Sequence, residues 1–422
     1  MDKIIVKGGN QLNGKIKIGG AKNAVLPIMT ACILAPGQYK LTNVPDLKDT
    51  RTMSELLRRI GADVTYSNHS LIINTENCNS PEAPYDLVKT MRASFYVLGP
   101  LLSRFGISKV SLPGGCAWGP RPVDYHLKAF KELGASVELD SGYIIAKGKL
   151  IGCTINFENV SVGATGNVLM GAVTAKGITK INNAAREPEI TLLCEFLNLM
   201  GAKIKGLNSN TLIIEGVDKL SPVKEFEIVP DRIEAGTFLI ATAICGGEIE
   251  LIDANPDHLQ TVLNLLVKAG SEINIKDGNI ILKSNGKIKH VDMETEPFPG
   301  FPTDLQAQWM ALMTLADGTS LIVDNVYADR FTHIAELTRL GAIISLEKNK
   351  ATITGIKKLK GAEIMSTDIR ASASLIIAAL VANGESSISR IYHIDRGYEK
   401  IEEKFRSLGA NIWRKSDRSD RN

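Results

Sequence analysis

A six-fold internal repeat constrains this chain more than any other feature. A helix-forming stretch that ends in glycine, followed by a small residue and a strand-forming run, recurs six times in 422 residues. The copies are Ile60-Gly61-Ala62-Asp63-Val64, Leu133-Gly134-Ala135-Ser136-Val137, Met200-Gly201-Ala202-Lys203-Ile204, Ala269-Gly270-Ser271-Glu272-Ile273, Leu340-Gly341-Ala342-Ile343-Ile344 and Leu408-Gly409-Ala410-Asn411-Ile412. Successive glycines lie 67 to 73 residues apart, so six such units account for the whole chain. Glycine suits the position after a helix because it takes positive φ without a Cβ clash. The helices before it carry apolar residues at helical spacing, as Met53, Leu56, Leu57 and Ile60 do. Short alternating runs follow it, and Asp277-Gly278 between two of them predicts a hairpin.

A second segment recurs at the same interval, in stretches beginning near Gly20, Met91, Val162, Asp231, Pro302 and Ile369. Past its first turn it is apolar nearly all round, which predicts a buried helix. The first turns are polar: Lys22, Asn23, Arg92, Thr165, Asp231, Arg232, Thr303, Asp304, Asp368 and Arg370. Asp, Asn and Thr there suit N-caps. Capping does not account for Lys22, Arg92, Arg232 and Arg370, since cations oppose the helix dipole at that end. Basic side chains at helix N-termini would suit a phosphate or carboxylate.

A net charge of +3 with 23% charged residues points to neither nucleic acid nor a membrane surface as partner. Cysteines 32, 78, 116, 153, 194 and 245 are scattered, and with no apolar leader they are read as reduced thiols of a cytoplasmic protein. The six histidines show no metal-ligand spacing, and neither a P-loop nor a dinucleotide fingerprint occurs, so no metal and no cofactor is expected. His126, beside Leu127 in a helix, is read as structural. The run from Arg414 to Asn422 is read as a solvated tail. The most unusual stretch is Leu112 to Asp124, where Cys116 lies among glycines and prolines with Arg121 five residues on. That setting suits a reactive thiol, or simply a flexible lid.

These six units resemble the UDP-N-acetylglucosamine 1-carboxyvinyltransferase family. The motifs that carry the resemblance are Gly20-Ala-Lys-Asn23, Pro113-Gly-Gly-Cys116 with Arg121-Pro-Val-Asp124, Pro230 to Thr237, Pro299 to Asp304 and His393 to Tyr398. It runs from about Ile4 to Ile412, nearly the whole chain. It implies an α/β fold, a two-lobed inside-out α/β barrel with three repeats per lobe, residues 21–229 in one lobe and 1–20 plus 230–422 in the other. The active site would lie in the cleft between them. The implied reaction moves enolpyruvate from phosphoenolpyruvate to the 3′-hydroxyl of UDP-N-acetylglucosamine, the first committed step of peptidoglycan synthesis, without a cofactor.

The resemblance also distributes roles. Cys116 would be the general acid, and Asp304 would take the hydroxyl proton or cap its helix. Lys22, Asn23, Arg121 and Arg396 would hold phosphoenolpyruvate. Asn23, Arg92, Arg121, Pro122, Val123, Asp124, Tyr125, Ser161, Val162, Gly163, Asp304 and Val326 would contact the sugar nucleotide. Arg330, Asp368 and Arg370 would complete the charge network, with Asp231 and Arg232 at the lobe crossing. Asn159 stands where some members have lysine, and Trp118 is bulkier than the usual residue. An enolpyruvyl transferase acting on shikimate 3-phosphate shares the fold but lacks this cysteine loop. A silent nucleotide-sugar-binding paralogue would be expected to have lost Cys116, Asp304 or Lys22. If Cys116 is the acid, Cys116→Ala abolishes turnover while sugar-nucleotide binding, read by calorimetry, stays nearly intact; full activity in that variant would refute the role.

Overall fold

The computed structural model describes residues 2–112 and 123–416. The expectations for Cys116, Trp118, Arg121 and Pro122 therefore lie outside the described residues. The chain forms two compact units, Met1–Gly19 with Pro230–Asn422, and Gly20–Val229. The first boundary falls between Gly19 and Gly20, one residue earlier than expected; a Cβ on Gly20 would sit 1.7 Å from the Asn43 carbonyl oxygen, which ties it to the second unit.

The six-unit α/β architecture is borne out, with three four-stranded sheets in each compact unit. The second repeat shows the grammar. Strand Glu82–Ala83 leads through a buried helical segment to a parallel strand, Ile107–Ser111. The amphipathic helix Asp124–Glu132 follows, ended by Gly134 at positive φ. Strands Ser136–Asp140 and Tyr143–Lys147 then form a hairpin whose second strand pairs antiparallel with Ile107–Ser111. All six repeat glycines take φ between +92° and +108°, which is what their place after a helix requires. The predicted Asp277-Gly278 turn has φ of +53° and +80°, as a two-residue hairpin demands.

Two strands break the repeat order and close each unit. Leu12–Lys17 precedes the helix Lys22–Ala31 of the Gly20–Val229 unit, yet pairs in parallel with Gly247–Ile252 of the other. Conversely, Phe226–Glu227 precedes the helix Arg232–Cys245 but pairs with Gln38–Thr42. Lys3–Lys7 lies between Glu385–Ser389 and Asn411–Lys415, completing the sixth sheet from the other end of the chain. This last strand corrects the reading of Arg414 as solvated tail. Its guanidinium makes a bidentate pair with Asp395 at 2.6 and 3.0 Å and donates to Glu402 at 2.9 Å.

The recurrent small-residue segments are the buried helices. In one unit Arg232–Cys245, Gln306–Met313 and Ile369–Val381 pack on one another inside the three sheets. In the other, Lys22–Ala31, Leu98–Phe105 and Val162–Ala172 take that place. Two of them begin as tight 3₁₀ turns, over Arg92–Val97 and Thr303–Leu305, which aim the polar residues there differently from an α-helical first turn. No helix among the described residues is long and apolar enough to cross a membrane.

Two glycines separate space from conformation. A Cβ at Gly355 would lie 1.8 Å from the Ala316 carbonyl oxygen, whereas one at Gly341 meets nothing within 4 Å but sits at φ +100°. Gly341→Ala is expected to cost about 1 kcal/mol and Gly355→Ala about 3 kcal/mol or more, read by urea unfolding. Equal losses would show that the Ala316 contact yields easily.

Candidate active site

In the unit that contains the C-terminal repeats, the central helix starts converge on Asp304. The 3₁₀ turn Thr303–Leu305 presents its carboxylate, and its two oxygens are taken by different arginines. Arg330 Nη1 donates to Oδ1 and Arg370 Nη2 to Oδ2, both at 2.8 Å. Asp304 does not stand at a cap position: Pro302 precedes the 3₁₀ turn and Leu305 precedes the helix Gln306–Met313. Burial alone would raise the Asp304 carboxyl, but the two guanidiniums outweigh it and hold it well below the usual carboxylate range. Arg370, 5% exposed, is kept charged by the same pairing.

The neighbouring carboxylates have other duties. Asp231 caps Arg232–Cys245 by accepting from the amides of Ile233 and Glu234. Asp368 caps Ile369–Val381 through the amides of Arg370 and Ala371. Arg232 lies over the Phe298 ring. Arg396 ends the 3₁₀ turn Ile391–Arg396, next to the Asp395 that grips Arg414. Val326 is placed by Asp324, which the sequence reading missed. That fully buried carboxylate accepts from Thr295, Thr303 and the amides of Val326 and Tyr327. Thr303 in turn accepts from Arg330 at 3.0 Å. Nothing local in the sequence marks Asp324, which ends the strand Thr319–Asp324.

The Gly20–Val229 unit carries its own polar cluster. Lys22 is buried at a helix start without a side-chain cap, and its ammonium pairs with the buried Asp49 at 2.7 Å. The conflict between basic residues and the helix dipole is therefore met here, as at Arg370, by a protein carboxylate. The sequence reading assigned Asp49 no role. Arg92 opens its 3₁₀ turn and its charge, after burial, pushes the His126 imidazole down to about 3. His126 meets the Phe95 ring edge-on with centroids 5.0 Å apart. Asn167 takes the Gly99 amide on Oδ1 and donates from Nδ2 to the Phe95 carbonyl and to His126 Nδ1, so the neutral ring carries its proton on Nε2.

Ser161 accepts from the Ala164 amide and leads into Val162 and Gly163, where a Cβ on Gly163 would meet His126 at 3.4 Å. Val123 and Asp124 begin the Asp124–Glu132 helix. Asn159, in place of lysine, donates to the Tyr125 hydroxyl at 3.0 Å. Lys22, Asn23, Arg92, Tyr125 and Ser161–Gly163 belong to this unit, and Asp304, Val326, Arg330, Asp368, Arg370 and Arg396 to the other. No group of three or more His, Cys, Asp or Glu among the described residues could hold a metal ion.

The Asp304 pairs generate a pH signature. They stabilise the fold above the unfolded carboxyl value of about 3.9 and lose that contribution as pH falls through the lower folded value. Asp304→Asn is expected to cost about 2 kcal/mol at pH 7, with the gap to wild type closing below about pH 4. Thermal melts from pH 7 to pH 3 read this, and a gap independent of pH would contradict its ionic origin.

The EPSP synthase (3-phosphoshikimate 1-carboxyvinyltransferase) family model matches residues 6–405. A UDP-N-acetylglucosamine 1-carboxyvinyltransferase of Chloroherpeton thalassium is 53% identical over 420 residues, 99% of this chain and 98% of that one. One from Chlorobium luteolum is 52% identical over 418 residues, 98% of each. Among solved structures, the enolpyruvyl transferase NikO from Streptomyces tendae matches with TM-score 0.88 at 23% identity over 98% of each chain. An EPSP synthase from Acinetobacter baumannii matches with TM-score 0.77 at 17% identity, covering 99% of this chain and 100% of its own; these two likenesses bear on fold alone. By its near-full-length identity to those relatives and its match to the family model, the chain belongs to the enolpyruvyl transferases, in the UDP-N-acetylglucosamine 1-carboxyvinyltransferase family.

Proposed function

We propose that the protein transfers the enolpyruvyl group of phosphoenolpyruvate to the 3′-hydroxyl of UDP-N-acetylglucosamine and releases phosphate. The observation that carries this reading is 52–53% identity, over 98–99% of the chain, to relatives of that name. The ion-paired Asp304 supplies a carboxylate that stays ionised at working pH, as a proton acceptor must.

Lys22, Arg121 and Arg396 hold the phosphate and carboxylate of phosphoenolpyruvate, with Arg330, Arg370 and Asp368 completing the charge network. Asn23, Arg92, Arg121 to Tyr125, Ser161 to Gly163 and Val326 receive the sugar nucleotide. Cys116 gives a proton to the methylene carbon, and C2 becomes cationic. The sugar oxygen bonds to C2 as its proton passes to Asp304. The resulting tetrahedral ketal loses phosphate from C2, which carries off the proton held by Asp304, and a proton of the new methyl group returns to the Cys116 thiolate, which restores the double bond in the product. The five cysteines among the described residues are free thiols, which supports a cytoplasmic location.

Phosphate release from phosphoenolpyruvate, followed with and without UDP-N-acetylglucosamine, tests the reading. Release that requires the sugar nucleotide is expected. Release driven by shikimate 3-phosphate would move the substrate assignment, and none with either acceptor would favour a binding protein without turnover.

A further inference from the structure

We propose that Tyr398 is a positioning residue for the reaction, holding Arg370 on Asp304 by joining the three central helices of its unit at one hydroxyl. The proposal rests on the reading of Asp304 as proton acceptor. Tyr398 is 2% exposed and sits just past the turn that carries Arg396. Its hydroxyl lies 2.8 Å from Thr237 Oγ1, 3.2 Å from Gln308 Nε2 and 3.3 Å from Arg370 Nη1. Those partners come from Arg232–Cys245, Gln306–Met313 and Ile369–Val381, one central helix from each of the last three repeats.

The surrounding bonds imply a proton direction in this cluster. Thr237 donates its single hydroxyl proton to the Ile233 carbonyl at 2.8 Å, so toward Tyr398 it can only accept. Tyr398 therefore donates to Thr237 and turns its lone pairs to Arg370 and Gln308. Gln308 is oriented by the same logic, since its Nε2 also donates to the Asp304 carbonyl at 3.0 Å and a flipped amide would set oxygen against oxygen. Burial keeps the phenol protonated, partly opposed by the Arg370 charge. The Arg370 guanidinium thus has one nitrogen on Tyr398 and the other on Asp304 Oδ2. A planar group held at two nitrogens cannot swing away from the carboxylate, and Gln308 holds the backbone of Asp304 from the other side.

Tyr398→Phe removes the hydroxyl and keeps the ring. In active enzyme it is expected to lower kcat about tenfold, with KM for both substrates within about twofold. Loosening Arg370 lets the Asp304 carboxyl titrate higher, so the acid limb of the kcat/KM profile moves to higher pH. A folded variant with unchanged kcat and an unmoved acid limb would overturn the proposal. A second arm needs no turnover: a stability cycle of Tyr398→Phe, Asp304→Asn and the double variant. Coupling through Arg370 predicts that the double variant loses less than the two single losses together, and strict additivity would also overturn the proposal. Wild type without phosphate release would count against the proposed function, while the cycle would still decide the role of Tyr398. Should Tyr398→Phe fail to fold, Thr237→Val removes the acceptor of its proton and is read by the same kcat, pH and coupling measurements.

Discussion

A helix that is apolar on every side must be surrounded, and the rest of this architecture follows from that requirement. Arg232–Cys245 buries all but its last residue and Gln306–Met313 buries every residue, so neither could lie on one face of a sheet. Three such helices pressed together, with a four-stranded sheet against each, satisfy the demand; a single repeat could not. Closing that ring needs an edge strand for the first sheet, and the chain supplies it from elsewhere in sequence. Leu12–Lys17 and Phe226–Glu227 each pair in the unit that does not contain the helix they lead into. The two passages of the chain between units are thus part of how each core is sealed.

The same packing creates the chemistry. Central helices from successive repeats run alike, so their N-terminal turns meet, and amide dipoles of one sign accumulate there. The two units answer this differently. In one, Asp231 and Asp368 cap, Asp304 bridges two arginines, and Tyr398 links the three helices. In the other, an uncharged centre does the joining, with Asn167 reaching Phe95, Gly99 and the neutral His126, while the charge is carried by Lys22 and Asp49. One repeat, copied six times, has become two different polar centres through substitutions in the first turns and in the segments packed against them.

The repeat and its buried helices were legible because both depend on local pattern: a glycine after a helix, an apolar run, a turn dipeptide. What stayed hidden depends on partners far along the chain. Glu82–Ala83 and Phe226–Glu227 are two residues long and carry no periodicity. Asp304 and Arg370 are separated by 66 positions, so sequence could mark each as polar at a buried helix start without showing that they meet. Asp49 and Asp324 lie at unremarkable places in a helix and a strand, and only tertiary pairing makes them matter. Arg414 looked like tail because its charge cluster continues to the end of the chain, whereas strand pairing with Lys3–Lys7 and the Asp395 contact draw it into the fold.

A carboxylate clamped by two arginines is a weak base, which at first counts against the proposed role of Asp304 as proton acceptor. The order of bond changes removes the difficulty. A sugar hydroxyl is far too weak an acid to lose its proton to such a carboxylate before anything else happens. Once C2 is cationic and the oxygen has begun to bond to it, that oxygen carries positive charge and its proton becomes strongly acidic, so even a weak base can take it. A stronger base would gain little at that stage and would be partly protonated by solvent beforehand. The arginines then have two compatible functions: they keep Asp304 ionised far below the usual carboxylate range, and their further bonds, from Arg330 Nη1 to Thr303 and from Arg370 Nη1 to Tyr398, fix where it points. Basicity is sacrificed for position and constant charge, a sound exchange when electrophile formation, and not hydroxyl deprotonation, is the demanding step.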